Sequence, residues 1–163
     1  MAFLMIFLPI FLSIVLYLAT RKDESLTKYI AMGWFGLQLV YALILLSKLP
    51  AHGMLDLGTY LSVPQFNFDL KLQVDALSVI MLILTAGLLL LVSLTSWEEK
   101  NQGAYFSLLV LFSGPIFGVF MTTNVMWFFM FWELTLLPML FLVGVWGERE
   151  GFMQQLNSSY ILM

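Results

Sequence analysis

The stretch Val125–Val145, VMWFFMFWELTLLPMLFLVGV, decides the fold. It is apolar over a length that crosses a bilayer as a helix, for which about 20 residues suffice. One acid, Glu133, sits near its middle, and no other acidic or basic residue lies within it. An ionised carboxylate at that depth costs on the order of a few kcal/mol. Such a group normally faces protein or water rather than lipid, and marks a pathway for ions or protons. Pro138 follows five residues later. In a helix it removes one backbone bond and crowds the carbonyl of Leu134, the neighbour of Glu133. The expectation is a polar spot inside hydrocarbon, with the rest of the chain packed around it.

Composition points the same way. Of 163 residues, 61% are hydrophobic and only 10% charged, and the mean hydropathy is +0.96. Soluble domains are nearer half apolar and a quarter charged. The class is therefore an all-α integral membrane protein, read as a single transmembrane domain over 1–163, and a soluble enzyme is excluded. The net charge of −3 is small and no basic run calls for nucleic acid. The chain has no cysteine, so disulfides, Fe–S clusters and thiolate metal sites are excluded within it. Its one histidine, His52, stands in a loop, and a metal site needs several ligands. No cofactor, metal or redox centre is expected in this chain.

Working outward from the opening stretch, about five transmembrane helices are expected, over about 1–20, 29–46, 76–96, 104–123 and 125–145. The first contains Pro9, which membrane helices tolerate. It has no basic n-region or small-residue cleavage site, so it does not read as a signal peptide. Arg21, Lys22, Asp23, Glu24 and Lys28 form a short polar turn. The second span carries Gln38 as its only strongly polar side chain, with Gly33 and Gly36 allowing close helix contact. The longest loop, 51–75, contains FNFDLKLQV, Phe66–Val74, whose alternation is the signature of a short strand or hairpin on the membrane face. Asp75 precedes the third span and suits its N-cap, where a carboxylate is favourable; an outer proton-exit role is the alternative. The fourth span has Gly114 and Gly118 in a G-x-x-x-G spacing around Pro115, which fits close helix packing or a hinge. The connection 122–124 is so short that the fourth and fifth helices must be antiparallel. Trp97 and Trp146 at span ends read as interface anchors. Trp127, Phe129, Phe131 and Trp132 read as packing, with a quinone site as the alternative.

Lys and Arg divide five to two between the sides. Arg21, Lys22, Lys28, Lys100 and Arg149 lie on one, Lys48 and Lys71 on the other. Positive charge stays inside, so the first side faces the cytoplasm or matrix and the long loop faces outward.

On a helical wheel, Glu133 shares its face with Met126, Phe129, Met130, Leu136, Leu137 and Leu140. None can pair a charge. The partner must come from another helix or another chain, or Glu133 is protonated. Burial raises a carboxyl pKa and an adjacent cation lowers it. A carboxyl between those influences changes protonation when the cation moves, as a proton relay requires. A protonated glutamate making one interhelical hydrogen bond is the alternative.

The stretch Thr123–Gly147, and above all FWELTLLPM within it, resembles the fifth-helix region of the NADH dehydrogenase subunit 4 (chain M) family of respiratory complex I. FWE alone is shared with sister antiporter-like subunits and Mrp-type antiporters. QVDALSVIMLILT, Gln73–Thr85, resembles the family's G-x-D-G-L-S start of the third helix, with Gln73 and Ala76 where glycines are usual. The resemblance runs to about Glu150. After that the family continues with basic residues and a K-F-F-x-Y-T-like run, where this chain reads Leu156-Asn157-Ser158-Ser159-Tyr160.

The resemblance implies a membrane-arm subunit of a complex I-like NADH:quinone oxidoreductase, in an energy-transducing membrane (bacterial cytoplasmic or mitochondrial inner). Glu133 matches the glutamate of proton translocation, which pairs with a lysine on a later, broken helix. NAD, FMN, Fe–S clusters and quinone are implied in partner subunits. The partners implied are lipid, other membrane-arm subunits and a second chain supplying the remaining helices. A split gene, a truncated structural copy and a fragment all remain open. An Mrp-type antiporter or membrane-bound hydrogenase subunit, or a non-transporting scaffold, are the alternative readings.

Overall fold

A computed structural model describes residues 1–19, 24–50, 53–63, 68–96 and 102–146. Arg21, Lys22, His52, Phe66, Trp97, Lys100, Arg149 and everything from 147 onward lie outside the described residues, as does most of the charge pattern on which the orientation rests. The element order is α1 (Ala2–Ala19), α2 (Glu24–Lys48), β1 (Leu55–Val63), β2 (Phe68–Val74), α3 (Ala76–Thr95), α4 (Gln102–Met121) and α5 (Val125–Trp146).

Among the described residues, four helices are long and apolar enough to cross a membrane: Leu26–Lys48, Ala76–Thr95, Gln102–Met121 and Val125–Val145. The apolar part of α1, Ala2–Leu18, is shorter. Helix α2 starts before the expected span. Lys28, expected in a polar turn, lies inside this helix and is buried together with Thr27. Lysine is a good helix former, and its aliphatic stem tolerates burial better than its charge does.

Helix α4 is the centre of the bundle and packs against each of the other four helices. Its sequence explains this. Ser107, Ser113, Gly114 and Gly118 are small and buried, so neighbouring backbones approach closely. The two glycines serve different partners. A Cβ on Gly114 would meet the backbone carbonyl of Ile6 and the ring of Pro9 in α1, while one on Gly118 would meet the ring of Phe131 in α5. The G-x-x-x-G spacing is thus a two-sided packing device.

The apolar core falls into two clusters. One, at the hairpin end, joins Ile6, Ala42, Leu72, Leu82, Phe117 and Phe131. The other joins Leu16, Ala31, Phe35, Leu89, Phe106 and Val110. Between them along α2 and α4 stands a polar pair, Gln38 and Ser113.

Strands β1 and β2 form an antiparallel hairpin. In β2 the alternation holds: Leu70, Leu72 and Val74 are buried, while Asp69, Lys71 and Gln73 are only partly so. The register of β1 slips twice, between Asp56 and Gly58 and between Thr59 and Leu61. Gly58 has φ 109°, a value that side chains rarely adopt, and its N–H donates to Asp56 Oδ1 at 2.9 Å. The hairpin reaches the α4–α5 turn through a Leu72–Thr122 bridge and through Thr123 N–H donating to Lys71 O at 3.2 Å.

Candidate functional site

Helix α5 is continuous through Pro138 and has two unlike faces. Trp127 and Phe131 are buried on the inward face, as is Pro138, with Phe128, Leu134 and Thr135 half-buried beside them. Phe131 packs on Trp127, with ring centroids 5.7 Å apart, and on Phe7 of α1 at 6.1 Å. Two residues on from Phe131, about 200° round a helix of 3.6 residues per turn, comes Glu133. It is exposed.

Its whole face is exposed with it. Met126, Phe129, Met130, Leu136, Leu137 and Leu140 range from 41% to 69% accessible. The expectation of a buried glutamate therefore does not hold within this chain. The inward positions belong to large aromatics seated on α4, and this rotation leaves the carboxylate outside. Nor does Glu133 share a face with Pro138, which lies about 140° away round the helix. The hydroxyl of Thr135 donates to Trp132 O at 2.6 Å, so it is used within the helix.

The aromatic stripe also divides. Trp127 and Phe131 pack inward, whereas Phe129 and Trp132 are 58% and 52% accessible on the outward side. An apolar groove of about 500 Å³ between α1, α4 and α5 is lined by residues including Tyr17, Leu111, Phe141 and Val145, and Glu133 is not among its walls.

Asp75 caps α3: its Oδ1 accepts from Ser78 N–H at 2.8 Å. That bond, and a second from the Ser78 side chain, hold its carboxyl below the usual range. At the hairpin, Asp56 accepts from Gly58 N–H and, at 3.3 Å, from Gln73 Nε2, with Lys71 Nζ at 3.9 Å. The hydrogen bonds from Gly58 and Gln73, then the Lys71 charge, lower its pKa. Sequence reading singled out Gln38 as the polar residue of its span. It did not find the partner Ser113, because nothing in a single sequence pairs residues 75 positions apart.

No family model matches the chain. Curated relatives do. NADH-ubiquinone oxidoreductase chain 4 of Metridium senile is 33% identical over 165 residues, covering 96% of this chain and 33% of the relative. NADH-quinone oxidoreductase subunit M of Escherichia coli K12 is 38% identical over 91 residues, covering 55% of this chain and 18% of the relative. The chain is a homologue of NADH-quinone oxidoreductase subunit M, also named chain 4. It spans about a third or less of these subunit M relatives' length. A chain in the structure of the membrane-bound sulfane sulfur reductase, an archaeal respiratory membrane complex, shares the fold with a TM-score of 0.74 at 18% identity. That match covers 99% of this chain and 33% of the other. Homology to subunit M, together with the four helices among the described residues that are long and apolar enough to span, makes this a multi-pass membrane protein.

Proposed function

We propose that this chain is part of the membrane arm of a complex I-like NADH:quinone oxidoreductase, and that Glu133 belongs to a proton pathway completed by protein outside the described helices. One observation carries the reading. Glu133 is the only ionisable group on an otherwise apolar, outward face of a spanning helix. Lipid against that face would make ionisation costly by a few kcal/mol. A helix bearing a cation, from another chain or from elsewhere in the same subunit, removes that cost and gives the carboxyl a charge-dependent partner. Protonation of Glu133 would then follow the position of the cation. The chain itself carries no electrons. NAD, FMN, Fe–S clusters and quinone belong to partner subunits in this reading. The names of the relatives favour it over an Mrp-type antiporter or a membrane-bound hydrogenase.

The test is Glu133→Gln, which keeps the shape and removes the charge. Proton pumping and electron transfer are measured in membrane vesicles after the complex is shown to be assembled. Pumping is expected to fall. If pumping and electron transfer both stay normal, Glu133 is a neutral packing residue and the chain is a scaffold.

A further inference from the structure

Gln38 is fully buried at the waist of the bundle, between the two apolar clusters. Its Nε2 donates to Ser113 Oγ at 3.2 Å. The Ser113 hydroxyl donates to Val110 O at 2.8 Å. Ser113 therefore accepts from Gln38, which assigns the amide nitrogen to that side. The other arm of the amide, Oε1, is buried and has no hydrogen-bond partner among the described residues. One turn earlier on the same face of α2 stands Trp34, half-buried against the second cluster. Its indole Nε1–H is also buried and without a partner among the described residues. A lone acceptor and a lone donor thus sit one turn apart at mid-helix. Unsatisfied polar groups at that depth cost several kcal/mol each, and a buried water bonds about two to four such groups.

We propose that Trp34 and Gln38, with Ser113 fixing the amide, form an internal water site between α2 and α4. The water accepts from Trp34 Nε1–H and donates to Gln38 Oε1. The site lies on α2, away from the outward face of α5, and does not depend on the role of Glu133.

The test is nuclear Overhauser transfer between water and the indole Hε1 of Trp34, in the full chain with nitrogen-labelled tryptophan in detergent. Trp34→Phe identifies the signal. A contact with a long-lived water is expected, and it should disappear in Gln38→Leu while the other tryptophan signals stay in place. An Hε1 protected from exchange but without a water contact would mean a direct indole–amide bond, and would overturn the proposal. A water contact unchanged in Gln38→Leu would overturn it as well. If Gln38→Leu does not fold, the presence or absence of the contact in the unaltered chain decides.

Discussion

Phe131 lies with its ring directly over the bare backbone of Gly118: a Cβ there would stand 2.7 Å from the ring carbons. This contact sets the rotation of α5 about its axis. With Phe131 held inward, a residue two positions later points nearly the opposite way, and that residue is Glu133. The direction of the carboxylate is thus fixed by a glycine on another helix.

Gly118→Ala is expected to push Phe131 off its seat. Overpacking of this kind costs about 1–3 kcal/mol. Thermal unfolding of the full chain in detergent should show a lowered midpoint. In the assembled complex, proton pumping should fall with it, because α5 turns. An unchanged midpoint would mean that the ring moves aside freely and does not set the rotation.

Gly114→Ala should be the worse of the two. The new methyl meets the backbone carbonyl of Ile6 and, at 3.2–3.3 Å, the Pro9 ring. A backbone cannot rotate away as a side chain can, so α1 as a whole must shift. The same unfolding measurement, run on both variants, should rank Gly114→Ala below Gly118→Ala. The reverse order would show α1 to be loosely docked.

The spanning helices, the antiparallel α4–α5 pair and the cap at Asp75 were legible because length, hydropathy and a short turn leave few choices. The rotation of α5 was not. The wheel grouped the neighbours of Glu133 correctly, but whether that face is inward depends on Phe131 meeting Gly118 across two helices. Strand β1 was hidden because two register slips and Gly58 break the alternation that made β2 visible. Lys28 misled for a simpler reason: a charge beside other charges reads as a turn, whereas its long stem belongs to α2.

Leu72 is the pin between the hairpin and the bundle. It is fully buried and bridges to Thr122 at the α4–α5 turn. Leu72→Ala should cost about 2–5 kcal/mol and free the hairpin before the helices unfold. Limited proteolysis within 53–74 should become faster while the helical signal persists. Equal loss of both would show that hairpin and helices melt as one unit.

Asp75 gives a pH-dependent test. Its carboxylate accepts from the Ser78 N–H, so its folded pKa lies below the ordinary value of 3.8. A depressed carboxyl stabilises the fold above that ordinary value. It loses that contribution as pH falls through the lower, folded value. Asn caps nearly as well as Asp but does not titrate. Near neutral pH, Asp75→Asn should therefore change stability little, beyond a few tenths of a kcal/mol for the lost charge at the helix N-terminus. Asp75→Ala should cost about 1 kcal/mol. Below about pH 4 the unaltered chain should lose stability relative to Asp75→Asn. Thermal midpoints of the three proteins across that range are the measurement. A constant gap between Asp and Asn down to acid pH would mean that the carboxylate is not held by the cap, which would reopen an outer proton-exit role for Asp75.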